Sequence, residues 1–300
     1  MESVKALMAA LIDYAGLFPP AELGMRKAVE NYAGYVTGSD SASLGKFILP
    51  VERVAEFEQS GGDLFPQARG AAPWLISILV KGYLPSALSA IRDFDSRHGV
   101  ARGGGAKVTT IEVPLACLPD FSRAEIQNYS AYVEVAASDD VATLLSQLES
   151  AGVNAKLRTG GVVETAFPST YHVIRFLRTC CDIGIAFKAT AALHHPVRAE
   201  FPLTYKPDSP RGTMFGFLNV FLAAAFVWNG VDDSTAAKIL DETDPSAFAF
   251  DESAARWRDQ SLSVNRIAAA RRSFAHSFGS CSFREPVDEL NLLLSGAGAA

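Results

Sequence analysis

The sequence predicts an α/β protein with the architecture of a (β/α)8 TIM-type barrel. Short apolar runs that are typical of buried strands alternate with amphipathic helical stretches along all 300 residues. Eight such runs can be placed, which is the strand number of this barrel. An open, doubly wound parallel sheet is the alternative. No internal repeat and no long linker interrupts the pattern, so residues 1–300 are expected to form a single domain.

The predicted strands and helices follow one another in a regular order. The strands are expected at residues 11–15, 46–50, 74–80, 108–115, 131–136, 154–159, 183–190 and 247–250. Helices with apolar residues three and four positions apart are expected at 23–35, 85–97, 140–150 and 171–178. The apolar stretch 215–228 is predicted to be a buried helix, the proline-rich and charged stretch 200–212 a loop or lid, and 248–257 a small hairpin.

The composition and net charge of the chain indicate which kinds of partner molecule are disfavoured. The chain is 49% hydrophobic and carries a net charge of -6, which argues against nucleic acid or an anionic membrane as the main partner. The longest apolar stretch is interrupted by Asn219 and is shorter than the roughly 20 residues that span a bilayer. The cysteines show no CxxC spacing and no export signal is recognised, so reduced thiols and a cytoplasmic location are expected. The composition permits a homo-oligomer.

Charged residues occupy one parity of four consecutive predicted strands. Side chains alternate in direction along a strand, so the apolar parity is expected to face the helices and the other parity the barrel interior. The interior set contains Glu112, Glu134, Lys156, Arg158 and Lys188. All lie toward the carboxyl ends of their strands, where barrel enzymes place their chemistry. A structural salt-bridge cluster is the alternative, but buried ion pairs add little stability, which favours a working site.

Lysine chemistry is the leading interpretation of this set. Only nine of the 27 basic residues are lysines, and two of these fall at interior positions of adjacent strands. A lysine amine attacks a carbonyl only when it is unprotonated, and burial or a neighbouring cation favours that form. Lys156 and Lys188 are suited to such a pairing. Glu134, with Glu112 in reserve, would then move protons.

The same region resembles a known enzyme family. The segments KLRTGG (156–161) and GIAFKAT (184–190) are similar to two strand ends of the deoxyribose-phosphate aldolase family of class I aldolases, K-T-S-T-G and K-A-S-G-G, with a comparable lysine separation. The resemblance covers residues 154–198. It implies that Lys156 forms the Schiff base and that Lys188 is the cation that lowers its pKa. The family's glycine pair is replaced here by AALHHPVR (191–198).

A second segment is similar to the family's final phosphate-binding turn, F-G-A-S-S. This segment is FGSCSF (278–283), and the resemblance implies that Ser280 and Ser282 contact substrate. Between them, Cys281 has the chemistry of a nucleophile, but no partner histidine is identified beyond His276, so it is interpreted as a buried or loop thiol.

Further polar residues are expected to bind substrate. Arg158 is suited to clamp a carboxylate or phosphate, or to pair with Glu134, and the amides of Gly160 and Gly161 can approach an anion. His194 and His195 follow the seventh strand and are expected to line the far side of the site. Asp13 ends the first strand.

The sequence therefore predicts a lyase that forms a lysine Schiff base with a small carbonyl substrate bearing an anionic group, without cofactor or metal. Two alternatives stay open. One is a divalent-metal-dependent isomerase or hydrolase that uses Glu112, Glu134, His194 and His195. The other is a barrel that binds a small ligand without turnover.

Overall fold

A closed barrel of eight parallel strands forms the centre of the protein, which confirms the predicted (β/α)8 class. The computed structural model describes residues 1–66, 71–98, 105–138 and 140–296. The barrel strands are β1 (Ile12–Tyr14), β2 (Leu44–Pro50), β3 (Trp74–Leu79), β4 (Ala106–Pro114), β5 (Ser130–Val135), β6 (Asn154–Arg158), β7 (Phe187–Thr190) and β13 (Ala275–Ser280). They are hydrogen-bonded in that order, and β13 closes the barrel against β1.

Helices surround the barrel. They are α1 (Glu2–Met8), α2 (Met25–Thr37), α3 (Val54–Gly61), α4 (Leu84–His98), α5 (Arg123–Ile126), α6 (Val141–Ala151), α7 (Thr170–Ile183), α8 (Phe217–Trp228), α9 (Asp233–Asp241), α10 (Val264–Ser273) and α11 (Arg284–Leu294). All four amphipathic predictions correspond to helices, and α8 is buried as expected. No helix among the described residues combines the length and apolar character needed to cross a bilayer.

The eighth barrel strand is not where the sequence pattern placed it. Residues 248–250 form β10 (Phe248–Phe250), which pairs antiparallel with β11 (Ala254–Trp257) and, through it, with β12 (Gln260–Ser263), outside the barrel. The true last strand, β13, has the sequence AHSFGS. It lacks an apolar run because His276 and Ser277 face the polar interior, and it follows α10 with a single residue between them.

Two further boundaries differ from the expectation. Helix α7 continues to Ile183 and ends at Gly184 in the left-handed conformation (φ 76°), so β7 begins at Phe187 rather than at residue 183. The stretch expected as a loop carries a β-hairpin, whose strands are β8 (Ala199–Pro202) and β9 (Arg211–Met214). The hairpin lies between β7 and α8, beside the carboxyl ends of the barrel strands.

The parity prediction is confirmed by what each face contacts. On β7 the outward Phe187 packs against the rings of Phe176 and Phe221, between barrel and helices, whereas the neighbouring Lys188 is buried in the interior. At the amino-terminal end, Arg271 of α10 donates hydrogen bonds to the carbonyl groups of Leu7, Ala9, Ala275 and His276, which connects α10 to the end of α1 and to β13. The opposite end opens into a pocket.

Candidate active site

A pocket of about 640 Å³ lies at the carboxyl ends of the barrel strands. Six of the residues that the sequence singled out line it: Glu112, Glu134, Lys156, Arg158, Gly161 and His194. Lys188 and Asp13 lie beneath it, fully buried. His195, Gly160, Ser280 and Ser282 are not part of the lining.

Lys188 is held by two carboxylates in the barrel interior. Its Nζ donates to Asp13 Oδ2 at 2.7 Å and to Glu112 Oε1 at 2.5 Å. Burial alone would lower the pKa of Lys188, but the two negative charges outweigh it and raise the pKa above its usual value. Lys188 is therefore a permanent cation under the pocket floor.

The position of Asp13 depends on a close approach to the neighbouring strand. Its Oδ1 accepts a hydrogen bond from the amide of Lys46 at 2.7 Å, and its Oδ2 accepts one from Ser277 at 2.8 Å. A Cβ at Gly45 would lie 2.2 Å from Asp13 Oδ1, so only glycine fits there. Burial opposes ionisation of Asp13, but Lys188 and Lys46 together lower its pKa.

Lys156 reaches the pocket itself. Its Nζ lies 2.9 Å from Glu112 Oε2 and 3.0 Å from Glu134 Oε2, and its side chain is 7% exposed. Lys188, at the paired position of the adjacent strand, is 1% exposed. The two lysines therefore differ in access, and Lys156 is the one that a ligand can contact.

Glu112 links the two lysines. Its Oε1 accepts hydrogen bonds from Lys188 Nζ and from Ser77 Oγ, the second with an O–O distance of 2.6 Å. Its Oε2 faces Lys156. Burial would raise the pKa of Glu112, but Lys156 and Lys188 hold it well below its usual range. Glu112 is thus an anion with no spare access to solvent.

Glu134 is more open and has two cationic neighbours. Besides the contact with Lys156, its Oε1 accepts a hydrogen bond from Arg158 Nε at 2.8 Å. Burial opposes ionisation, but Lys156 and Arg158 lower the pKa of Glu134. Because its side chain is 29% exposed, Glu134 can exchange protons with pocket water. The ion pair that the sequence suggested for Arg158 is present.

The backbone after β6 and β7 is tightly folded. Ala191 and Ala192 occupy the positions of the glycine pair in the deoxyribose-phosphate aldolase family, which this region resembles. Their φ angles are 69° and 56°, the left-handed conformation that glycine adopts most easily. A Cβ at Gly160 would lie 2.5 Å from Phe167 and 2.6 Å from Ala192. Gly160 therefore serves packing between these loops, whereas Gly161 faces the pocket.

His194 belongs to a cluster that the sequence pattern did not reveal. Its Nδ1 lies 3.3 Å from Glu285 Oε2 and 4.0 Å from Cys281 Sγ, and Tyr205 of the hairpin donates to the same Glu285 oxygen at 3.0 Å. Burial would lower the pKa of His194, but its contacts with Cys281 and Glu285 raise it to about 10. His194 is thus a cation on the pocket wall, and it, rather than His276, is the partner of Cys281.

The histidines and carboxylates of the metal-dependent alternative do not meet. His195 Nδ1 lies 2.8 Å from Glu289, and its ring stacks on Phe201 with centroids 3.4 Å apart. Within the described parts of the chain, the one group with metal-ligating geometry is His195, Glu285 and Glu289. Glu112 and Glu134 contact lysines instead.

The serines of the last turn have local partners. Ser280 Oγ lies 3.3 Å from His194 Nδ1, and Ser282 Oγ accepts the amide of Glu285 at 3.1 Å at the start of α11. Of this turn, Gly279 and Cys281 line the pocket. Ser280 and Ser282, which are predicted to contact substrate, are thus next to lining residues but are not themselves part of the lining.

Two interior residues were missed although the parity rule reaches them. Ser77 shares the inward parity of β3 and binds Glu112. Tyr132 shares the inward parity of β5, lies with its ring 5.7 Å from Lys188 Nζ, and contacts His276 Nδ1 at 2.6 Å through its hydroxyl. Restricting the parity argument to charged side chains left both out.

The fold and pocket define a (β/α)8 barrel with paired lysines and carboxylates inside its carboxyl-terminal end. Comparison with known protein families and with curated proteins finds no match for this sequence.

Proposed function

We propose that the protein is a Schiff-base lyase of the aldolase type, acting on a small carbonyl compound that bears an anionic group. The observation that carries the proposal is the setting of Lys156. Its amine lies at the floor of an open pocket, between Glu112 and Glu134, while the paired Lys188 stays buried and charged. The resemblance of residues 154–198 to the deoxyribose-phosphate aldolase family agrees with this assignment.

The chemistry requires a neutral amine at Lys156. Glu134 Oε2 lies 3.0 Å from the amine and is open to pocket water, so it relays the ammonium proton to that water. The amine attacks the carbonyl carbon, a C–N bond forms, and the carbonyl oxygen takes up a proton. Loss of that oxygen as water leaves an iminium ion.

The iminium then accepts the electron pair of the bond between the α- and β-carbons of the substrate. As that bond breaks, the departing fragment loses its hydroxyl proton and leaves as an aldehyde. The resulting enamine takes a proton at carbon, and water releases the second product from Lys156. Glu134, rather than the enclosed Glu112, is positioned to carry these protons. Lys188 remains protonated and keeps Glu112 in place.

Cationic groups around the pocket support an anionic substrate. Arg158 lines it and is half-exposed while paired with Glu134, so a carboxylate or phosphate can replace that partner. His194 supplies a second positive charge on the wall.

Borohydride trapping tests the proposal. The protein is incubated with a panel of small aldehydes and ketones, reduced, and mapped by peptide mass spectrometry. We expect an adduct on Lys156, unchanged by chelator and absent from Lys156→Met. Lys81, an exposed lysine that also lines the pocket, is the internal control for unspecific labelling. Equal labelling of Lys81 and Lys156 would contradict the proposal. Turnover that chelator abolishes, with no adduct on Lys156, would favour the metal-dependent alternative.

A further inference from the structure

The two halves of the pocket differ in chemistry. The half contributed by β1, β2 and β3 presents Phe18 and Pro20 from the loop after β1, Ile48 from β2, and Leu79 at the end of β3. From these three strands and the loops that follow them, the described lining includes one charged side chain, Lys81, which is exposed at the rim. This half is therefore an apolar surface.

The other half carries the polar groups. Strands β5, β6 and β7 and the loops that follow them contribute Glu134, Arg158, Thr190 and His194 to the lining, and these polar side chains are interspersed with apolar ones: Val162, Ala191, Ala192, Leu203 and Met214. Lys156 and Glu112 lie on the floor where the two halves meet. A ligand whose carbonyl carbon reaches Lys156 thus has an apolar wall on one side and a charged wall on the other.

The apolar wall is incompletely covered by the protein itself. Phe18, Pro20 and Leu79 are only half-buried, as is Leu115 just beyond β4, whereas the outward side chains of the barrel are enclosed by helices. Apolar area that stays in contact with pocket water gains free energy when a ligand displaces that water. The arrangement favours a ligand with an apolar portion.

We propose that this wall, formed by Phe18, Pro20, Ile48, Leu79 and Leu115, binds an alkyl or aryl portion of the carbonyl substrate. This inference rests on the proposed function, because it takes Lys156 as the position of the carbonyl carbon. The anionic group then lies toward Arg158 and His194. The substrate class is an amphipathic carbonyl compound rather than a polyhydroxylated sugar.

Two aldehydes of equal size test the wall. Pentanal and glyceraldehyde each have six non-hydrogen atoms, and each is trapped on Lys156 with borohydride at a series of concentrations. For each aldehyde, the concentration that gives half-maximal trapping on Lys156 is divided by the corresponding concentration for a free lysine derivative. This ratio removes the difference in intrinsic reactivity between the two aldehydes. Since each buried methylene strengthens binding by about fourfold, we expect pentanal to be favoured at least tenfold. Equal values would overturn the inference.

Substitutions then locate the effect. Phe18→Ser and Leu79→Ser are expected to weaken capture of pentanal severalfold and to leave glyceraldehyde within twofold. Tyr83→Ser is the matched control, because Tyr83 is 68% exposed in the loop after β3 and lies outside the lining. Circular dichroism and thermal unfolding establish that each variant is folded. Identical losses for both aldehydes would contradict an apolar wall.

Unreactive alcohols separate this inference from the imine chemistry. Saturation-transfer NMR with pentan-1-ol and glycerol reports binding without any adduct. Binding of pentan-1-ol that Phe18→Ser weakens supports the wall even if no aldehyde is trapped, in which case the proposed function alone fails. Binding of neither alcohol, or of both equally, would overturn the wall while leaving Lys156 chemistry to the trapping result.

Discussion

Lys156 and Lys188 stand at paired positions on adjacent parallel strands and share one carboxylate, that of Glu112, which turns a different oxygen toward each amine. Each lysine also has a carboxylate of its own, Glu134 and Asp13 respectively. Arg158, which pairs with Glu134, brings the network to three cations and three carboxylates. The two lysines are nevertheless unequal in access, because Lys156 lies at the pocket floor and Lys188 beneath it. This inequality gives the two lysines different roles.

Loss of the deeper lysine is expected to destabilise the fold most. Lys188→Met leaves Asp13 and Glu112 buried without their shared cation, and we expect the free energy of unfolding to fall by about 3–5 kcal/mol. Lys156→Met, the same change one strand away, leaves Glu112 paired with Lys188 and Glu134 paired with Arg158. Its expected cost is about 1–2 kcal/mol. Urea unfolding measures both, and equal losses would contradict the assigned roles.

The same network predicts how stability depends on pH. The pKa values of Glu112 and Asp13 are lowered from their ordinary 4.5 and 3.8, so their contribution is complete above those values and is lost as pH falls below them. The pKa of Lys188 is raised above 10.5, so its contribution is complete below 10.5 and is lost as pH rises through the higher value. We expect the contribution of this network to reach a plateau between about pH 5 and pH 10. On it are superimposed a loss of stability above pH 6.5 from the raised pKa of His194 and a loss below pH 6.5 from the lowered pKa of His276.

Urea unfolding at a series of pH values checks the plateau, and Glu112→Gln supplies the comparison. The variant has no carboxylate to protonate at this position, so its stability should fall less steeply below pH 5 than that of the unchanged protein. An identical acid limb in both proteins would show that Glu112 does not contribute to it.

Strand parity predicted which side chains meet in the barrel, because alternation is a local property that the sequence displays directly. Glu112, Glu134, Lys156 and Lys188 could therefore be found from four short segments. The position of β13 could not, since its polar interior residues remove the apolar run that marks a strand.

Contacts between segments that are distant in the sequence also could not be predicted from it. His194 and Cys281 are 87 residues apart and meet only because β7 and β13 are neighbours in the closed barrel. Asp13 and Lys188 are 175 residues apart in the sequence. They meet because the first strand closes against the last, which in turn pairs with β7. Such pairs follow from closure of the sheet, which residue spacing does not encode.

Gly45 is expected to tolerate no side chain. In Gly45→Ala the added methyl group would displace the Asp13 carboxylate from the Lys46 amide and from Lys188, so we expect a loss of about 1–3 kcal/mol or more. Gly82→Ala is the control, because a Cβ there has no neighbour within 4 Å. Thermal unfolding of both variants makes the comparison, and a stable Gly45→Ala protein would show that Asp13 can be held in another way.

Two partly buried histidines are expected to differ in charge at neutral pH, His194 being cationic and His276 neutral. The pKa of His194 is raised to about 10 by Cys281 and Glu285 against the effect of burial, whereas burial lowers the pKa of His276 to about 4. NMR of ring protons should therefore show neither histidine titrating between pH 6 and pH 8. In Glu285→Gln the pKa of His194 should fall, and an unchanged value would assign the effect to other groups.

Glu134 provides the sharpest functional prediction. Glu134→Gln keeps the size of the side chain but removes the carboxylate proposed to move protons at Lys156, so we expect turnover of an aldol substrate to fall by about 10²–10⁴. Stability should change little, because Glu134 is partly exposed and Lys156 keeps Glu112. The rate is measured against pH for the variant and for Glu200→Gln, which removes an exposed carboxylate paired with Arg211 on the hairpin. If the fall in rate at low pH disappears in Glu134→Gln but persists in Glu200→Gln, the result supports proton transfer by Glu134. A uniform loss with an unchanged pH profile would instead assign Glu134 to positioning Lys156 and Arg158.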